Sequence, residues 1–169
     1  MTPACMEYVQ SALARFPAAG LVLEIGSLNV NGSVRELFAD RGKFYWYAGI
    51  DRQNGPGVDY VGEIGDLVPK FASLLDVGWG DFGVVVSTEA FEHDATFWNT
   101  IQMAHRALRK DGLFIVTTRN IGFPRHDYPS DLYRFTADGL RAVLEWAGFT
   151  VLEAVDDLVG QGTFSVAKK

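Results

Sequence analysis

The spacing of apolar positions changes period repeatedly along this chain, and the changes predict an alternation of helices and strands. Val9, Ala12, Leu13 and Phe16 recur at helical spacing, and the stretch from Pro17 to Gly20 ends that segment. Residues 21–26 are a short run rich in branched aliphatics, read as a buried strand. Ser33 with Glu36 three residues later has capping-box spacing and predicts a helix running to about Asp40. Residues 44–51 and 58–61 read as the second and third strands, separated by the turn Gln53-Asn54-Gly55-Pro56-Gly57, and residues 67–75 as a helix. Residues 82–87 are apolar almost throughout, as a central parallel strand should be.

The second half continues the pattern. Phe97, Ile101, Ala104 and Leu108 mark an amphipathic helix with Arg106, Arg109 and Lys110 near its end, where cations favour the helix dipole. Asp111-Gly112 stops it, and residues 113–118 form a fifth strand. Residues 119–135 have no clear period and carry Pro124 and Pro129. Thr136 caps a helix whose core face is Leu140, Val143, Leu144 and Ala147, and Gly148 ends it. Residues 150–155 and 163–167 close the chain as strands. Neither internal repeats nor an interdomain linker interrupt the order, so residues 1–169 read as one α/β domain opened by an N-terminal helix in residues 1–19.

Composition narrows this picture. At 169 residues and 48% hydrophobic, the chain can bury a core. A net charge of −6 disfavours a broad phosphate-backbone footprint, so nucleic acid is an unlikely partner. Cys5 is the single cysteine, which excludes an internal disulfide and a cysteine-rich zinc site and suits a reducing cytoplasm. The start has no signal-peptide pattern, and no window is apolar enough for a bilayer. No metal-ligating set is assigned from the sequence.

The most informative stretch is Leu21-Val22-Leu23-Glu24-Ile25-Gly26-Ser27, followed by Asn31-Gly32-Ser33. A carboxylate at a strand's carboxyl end, then a glycine-bearing loop, is suited to a nucleotide-like cofactor over the edge of a parallel sheet. The second strand ends in Gly49-Ile50-Asp51, placing another carboxylate where a ribose would lie.

With Tyr47-Ala48-Gly49-Ile50-Asp51, Val61-Gly62-Glu63-Ile64, Val84-Val85-Val86-Ser87-Thr88-Glu89-Ala90-Phe91-Glu92-His93 and Ala104-His105-Arg106-Ala107-Leu108-Arg109-Lys110-Asp111-Gly112-Leu113, these residues resemble the class I S-adenosylmethionine-dependent methyltransferases. The Glu-His pair after the fourth strand is similar to the small-molecule branch, the type 11 methyltransferase domain. The resemblance implies a Rossmann-like, doubly wound, seven-stranded, mostly parallel sheet with an antiparallel last strand inserted beside the fifth and helices on both faces. The first loop departs from the family's Gly-x-Gly-x-Gly: Leu28 and Val30 hold the later positions, and the next glycine is Gly32.

The resemblance implies roles. Glu24 steadies the ammonium of the cofactor, Gly26 lets the backbone approach it, and Ser27 and Gly32 belong to the same loop. Asp51 accepts from both ribose hydroxyls, with Arg52 beside it. Glu63 meets the adenine amino group, with Asp66 as its competitor, and Ile64 packs on the ring. Ser87, Thr88 and Glu89, at the end of the fourth strand, lie beside the transferable methyl group. His93 is a candidate acid–base group, or else a structural histidine bonded to a backbone carbonyl at a helix start.

Similar strings to His126-Asp127-Tyr128-Pro129-Ser130-Asp131-Leu132-Tyr133-Arg134-Phe135-Thr136 recur in one subgroup of these enzymes. In this fold the loop after the fifth strand covers the cleft, so residues 119–135 are a candidate substrate lid. His126 and Asp127 are assigned catalytic roles, and Tyr128, Tyr133 and Arg134 contact the acceptor. The plainer alternative is an ordered loop held by an Asp131–Arg134 pair with its aromatics in the core.

The expectation is methyl transfer from S-adenosylmethionine to oxygen or nitrogen of a small-molecule acceptor, with a homodimer as one way to complete the cleft. A non-catalytic scaffold keeping the fold is the main alternative. A nicotinamide-dependent oxidoreductase would need Gly-x-Gly-x-x-Gly in the first loop, which is missing. RNA or protein methylation is disfavoured by the acidic charge. The acidic-or-Asn, double-proline, aromatic motif of amino-methylating nucleic-acid enzymes is missing after the fourth strand, and carbon-5 pyrimidine chemistry would need a cysteine there.

Overall fold

The computed structural model describes residues 1–40 and 42–169. Its elements are α1 (Pro3–Arg15), β1 (Leu21–Ile25), β2 (Trp46–Asp51), β3 (Tyr60–Val61), α2 (Ile64–Leu75), β4 (Phe82–Thr88), α3 (Phe97–Ala107), β5 (Leu108–Arg119), α4 (Ala137–Trp146), β6 (Thr150–Asp157) and β7 (Gly162–Lys168). Two single-turn 3-10 segments, Arg35–Phe38 and Phe91–His93, complete it.

The sheet has the order β3-β2-β1-β4-β5-β7-β6. β1 to β5 pair in parallel, and β7 inserts antiparallel between β5 and β6. This is the expected seven-stranded arrangement. Its faces follow the period of two along each strand. On β4, Val85 packs with Leu23, Phe71, Phe114 and Leu140 toward α2, α3 and α4. Val84 and Val86 face the other way, against Val9, Ala12, Phe38 and Val166, the side covered by α1. Helix ends follow the local signals: Thr136 accepts from the Gly139 N–H at 3.1 Å, and Gly148 ends α4 at φ +98°. No helix is long and apolar enough to cross a membrane among the described residues.

Two expectations need correction. The helix expected over residues 33–40 is a single 3-10 turn. Ser33 Oγ accepts from the Arg35 N–H, two residues on, and so makes a local turn rather than a capping box. Asp40 then accepts from the Gly42 N–H, which closes the segment after one turn. The fifth strand begins at Leu108 rather than Leu113, because Leu108 already pairs with Phe82. The register shifts before Val84 meets Leu113, and Asp111 at φ +63° turns the chain between the two pairings. β3 is shorter than expected and β6 longer.

Phe114 is fully buried between Phe91, at 6.1 Å between ring centroids, and Phe149, stacked at 5.3 Å. Phe114→Ala is expected to lower the unfolding free energy by about 3–5 kcal/mol. Urea denaturation checks it, and a loss below about 1 kcal/mol would mean the sheet and α4 do not pack as described.

Candidate functional site

Strand order reverses between β1 and β4, and beyond the carboxyl ends of these strands lies a cleft of about 350 Å³. Strand ends supply Glu24, Asp51, Thr88 and Glu89, the α2 start supplies Glu63 and Ile64, and residues 126–129 form the far wall.

Glu24 is buried, 2% exposed, and accepts a 2.5 Å hydrogen bond from the Tyr47 hydroxyl. Burial pushes its carboxyl up to about 7, against the opposing pull of the Tyr47 bond and the Arg35 charge, with Asp59 and Asp51 adding to the rise. Arg35 lies 4.5 Å over the Tyr47 ring and pairs with Asp59 at 2.6 Å. Gly26 has φ +77°, and a Cβ there would meet the Ala90 Cβ at 2.5 Å. The need for glycine therefore arises within the protein. Ser27 is buried at the cleft floor, and Gly32 lines the rim beside the Met1 side chain.

Asp51 accepts from the Leu28 N–H at 3.2 Å through one oxygen and the Gln53 N–H at 2.9 Å through the other. Each oxygen keeps a lone pair for a further donor. Arg52 bridges Glu63 at 3.1 Å and Asp94 at 3.0 Å. Glu63 sits at the cleft as the residue before α2, while Asp66 is exposed and does not line the cleft. The Ile64 side chain is buried against the cleft.

Ser87 is fully buried within β4, and of the three residues expected at this strand end Thr88 and Glu89 line the cleft. Glu89 has φ +52°, a left-handed conformation that costs a non-glycine residue about 1–2 kcal/mol. It is held there by Arg119 at 2.6 Å, the Met1 ammonium at 3.2 Å and the Cys5 thiol at 3.0 Å. The fold thus carries Cys5, remote in sequence, to the end of β4. Burial, the Glu89 charge and the bond to Glu89 push its thiol up to about 11, so it is a hydrogen-bond donor and not a nucleophile.

Residues 119–135 form a loop closed at its base, where the Phe135 N–H donates to the Arg119 carbonyl at 2.9 Å. His126, Asp127 and Tyr128 line the cleft. Asp127 is half-exposed and pairs with Arg125. Burial lowers the His126 pKa, and His93, Arg119 and Arg134 add to the effect against Asp131. His93 lines the cleft and its Nδ1 meets the Ser130 carbonyl at 2.5 Å. Tyr133 and Arg134 lie outside the residues that line the cleft. The Tyr133 ring packs on Phe97 and Phe135 and its hydroxyl donates to the Ala95 carbonyl. Arg134 is consumed by Asp131, at 2.5 and 2.6 Å, and by the Phe123 and Pro124 carbonyls.

Three buried groups were not assigned from the sequence. Asp94 gathers Arg52, Thr96 and Thr100. Arg119, 5% exposed, stacks 3.8 Å over Phe123. Glu92 is fully buried, accepts from Thr118 at 2.8 Å, and burial raises its pKa. A charged residue directly after an apolar run was the available signal, and Arg119 gives it; Glu92 lies four positions past the end of β4 and gives none.

No family model matches the chain, and no curated protein matches it in sequence. Solved structures do match. A Mesorhizobium loti S-adenosylmethionine-dependent methyltransferase superposes with TM-score 0.68 at 13% identity, over 99% of each chain. A Burkholderia thailandensis 1,6-didemethyltoxoflavin-N1-methyltransferase, bound to 1,6-didemethyltoxoflavin and S-adenosylhomocysteine, gives 0.66 at 20% identity, over 99% of this chain and 77% of that one. A Haloferax volcanii methyltransferase in complex with the Trm112 activator gives 0.65 at 19%, over 95% and 88%. The chain has the class I S-adenosylmethionine-dependent methyltransferase fold.

The raised pKa of Glu24 sets a sign for stability. Between pH 4.5 and about 7 the folded chain keeps a proton that the unfolded chain has released, so this group makes stability fall as pH rises through that window. Glu24→Gln removes the effect and is expected to flatten the profile by about 3 kcal/mol across it. Urea unfolding at stepped pH reads the difference; parallel profiles for the two proteins would contradict a buried, proton-holding Glu24.

Proposed function

We propose that the cleft binds S-adenosylmethionine and that the chain transfers its methyl group to oxygen or nitrogen of a small-molecule acceptor. The observation that carries this reading is the placement of Glu24 and Asp51 at neighbouring strand ends in one cleft. Glu24 is a buried acid that yields its proton to become the partner of an ammonium group. Asp51, its two oxygens each anchored by one backbone N–H, takes the two hydroxyls of a ribose. Ile64 offers an apolar surface to a base, and Glu63 a nearby acceptor.

The sulfonium supplies an activated methyl group and a neutral leaving group. What the chain contributes is alignment and exclusion of water. The loop of residues 119–135 walls the side opposite the Glu24–Asp51 edge, with His126, Asp127 and Tyr128 on the acceptor's side. The acidic net charge and the small heterocycle named with the Burkholderia structure support a small acceptor over nucleic acid.

Calorimetry with S-adenosylmethionine, S-adenosylhomocysteine and NAD tests the cofactor. Binding of the first two and not NAD is expected, and Asp51→Ala should weaken it about 10- to 100-fold through loss of charge-assisted hydrogen bonds. Indifference of the wild type to both sulfur ligands at millimolar concentration would sink the reading.

The proton on Glu24 gives a second readout. An ammonium placed beside it lowers its pKa, so near pH 6.5 each binding event is expected to release roughly half a proton or more. Titrations in buffers of different ionisation heat measure this. Release should vanish in Glu24→Gln; equal release from both proteins would place the ammonium elsewhere.

A further inference from the structure

Glu92, His93 and His126 offer one ligand atom each within 4.8 Å of one another. We propose that they form a binding site for a divalent transition-metal ion of the zinc class. Glu92 Oε1 lies 4.0 Å from His93 Nε2 and 3.9 Å from His126 Nε2. This oxygen is fully buried and has no hydrogen-bond partner among the described residues. An unpartnered carboxylate oxygen at full burial is costly, and a cation bound between it and the two imidazoles relieves that cost in place of a proton.

Each ligand is oriented from behind. Glu92 Oε2 accepts from the Thr118 hydroxyl, which turns Oε1 toward the two imidazoles. His93 Nδ1 faces the Ser130 carbonyl, which can only accept, so Nδ1 carries the hydrogen and the Nε2 lone pair faces Glu92. His126 Nδ1 lies 3.4 Å from Asp131 Oδ2 without bonding it, so a small ring rotation on metal binding would complete the carboxylate–histidine arrangement that commonly backs a metal ligand. Asp131 is held in turn by Arg134 and by the His126 N–H. The Leu132 and Tyr133 N–H groups both donate to the Glu92 carbonyl, so the loop carrying His126 is tied to the turn carrying His93.

The charges around the cluster permit a cation. Arg119 Nε stands 3.9 Å from Glu92 Oε1, too far to bond it; the guanidinium pairs with Glu89 through Nη2 at 2.6 Å, while its Nε and Nη1 have no partner among the described residues. Arg134 is matched by Asp131. Zinc–nitrogen bonds of about 2.0–2.1 Å require the three side chains to close by roughly half an ångström to an ångström each. Two imidazoles and one carboxylate select zinc, iron, cobalt or manganese over magnesium or calcium.

Both histidines line the cleft, so the remaining coordination positions open into it. There a bound hydroxyl acceptor would be acidified. Its proton leaves to solvent and the oxygen lone pair forms the new C–O bond. The C–S bond breaks with its electron pair on sulfur. This last step rests on the methyl-transfer reading; the metal site itself does not.

The test is a Co²⁺ titration of untagged, chelator-stripped protein followed by visible d–d absorption, with Zn²⁺ displacement. One saturable equivalent is expected. His126→Ala and His93→Ala should each weaken it about 100-fold or more, and Asp131→Asn, a milder change, about 10- to 100-fold, with melting temperature and circular dichroism reporting the fold. Asp51→Ala should bind Co²⁺ like the wild type while binding the sulfur ligand more weakly, so the two readings fail separately. No saturable binding at millimolar metal, or equal binding by wild type, His126→Ala and Asp131→Asn, would overturn the site and leave Glu92 as a buried partner of Thr118.

Discussion

The carboxyl edge of the parallel sheet forces acidic side chains out of water, and most of the site follows from how each is compensated. Glu24 is 2% exposed, Glu92 fully buried and Asp94 8% exposed. Burying an unpaired charge costs far more than any single contact returns, so each must find a partner or keep its proton. Glu24 keeps its proton and leans on Tyr47. Asp94 takes Arg52 and two threonines. Glu89 draws Arg119 under the loop of residues 119–135. Glu92 is left with one oxygen bonded and one facing two imidazoles.

These solutions divide the cleft in two. On the β1–β2 side the polar groups are separate acceptors: a proton-holding Glu24 and an Asp51 braced by backbone N–H groups. On the β4–β5 side they are interlocked, since Arg119 touches Glu89, Phe123 and the surroundings of Glu92 at once. A ligand on the first side can displace a proton with little rearrangement. A ligand on the second must fit an interlocked network whose unpartnered atoms are Arg119 Nε and Nη1 and the inward face of Glu92 and His126.

Most of the architecture was legible because strand and helix periods differ and the chain keeps each one cleanly. Val84-Val85-Val86 could only be a strand buried on both faces, and it is. Glu24 and Asp51 were readable because each is the polar terminus of such a run. The 3-10 turn at Arg35–Phe38 was not, because Ser33 has two local acceptor geometries and spacing cannot choose between them. Ser87 fell one position short of the cleft because strand ends are blurred by a residue or two in any sequence reading. Arg119, Glu92 and Asp94 were missed for a different reason: their partners lie far along the chain, and only the sheet order brings Arg119 of β5 beside the turn after β4.

The same reasoning alters what the loop after β5 can do. Its aromatic and charged density suggested a cover that opens and closes. Instead Tyr133 packs against the core, Arg134 and Asp131 tie its two limbs through the Phe123 and Pro124 carbonyls and the His126 N–H, and its backbone bonds the Glu92 carbonyl twice. Opening at the Phe135 end would break those bonds and expose Phe135 together, a cooperative cost that a hinge of exposed residues would not carry. The tied part of the segment is therefore a wall. Residues 127–129, exposed and outside the Asp131–Arg134 clasp, line the cleft and can adjust to an acceptor. A wall that presents His126 in one orientation is what a positioned ligand or base requires, and a swinging lid would forfeit it.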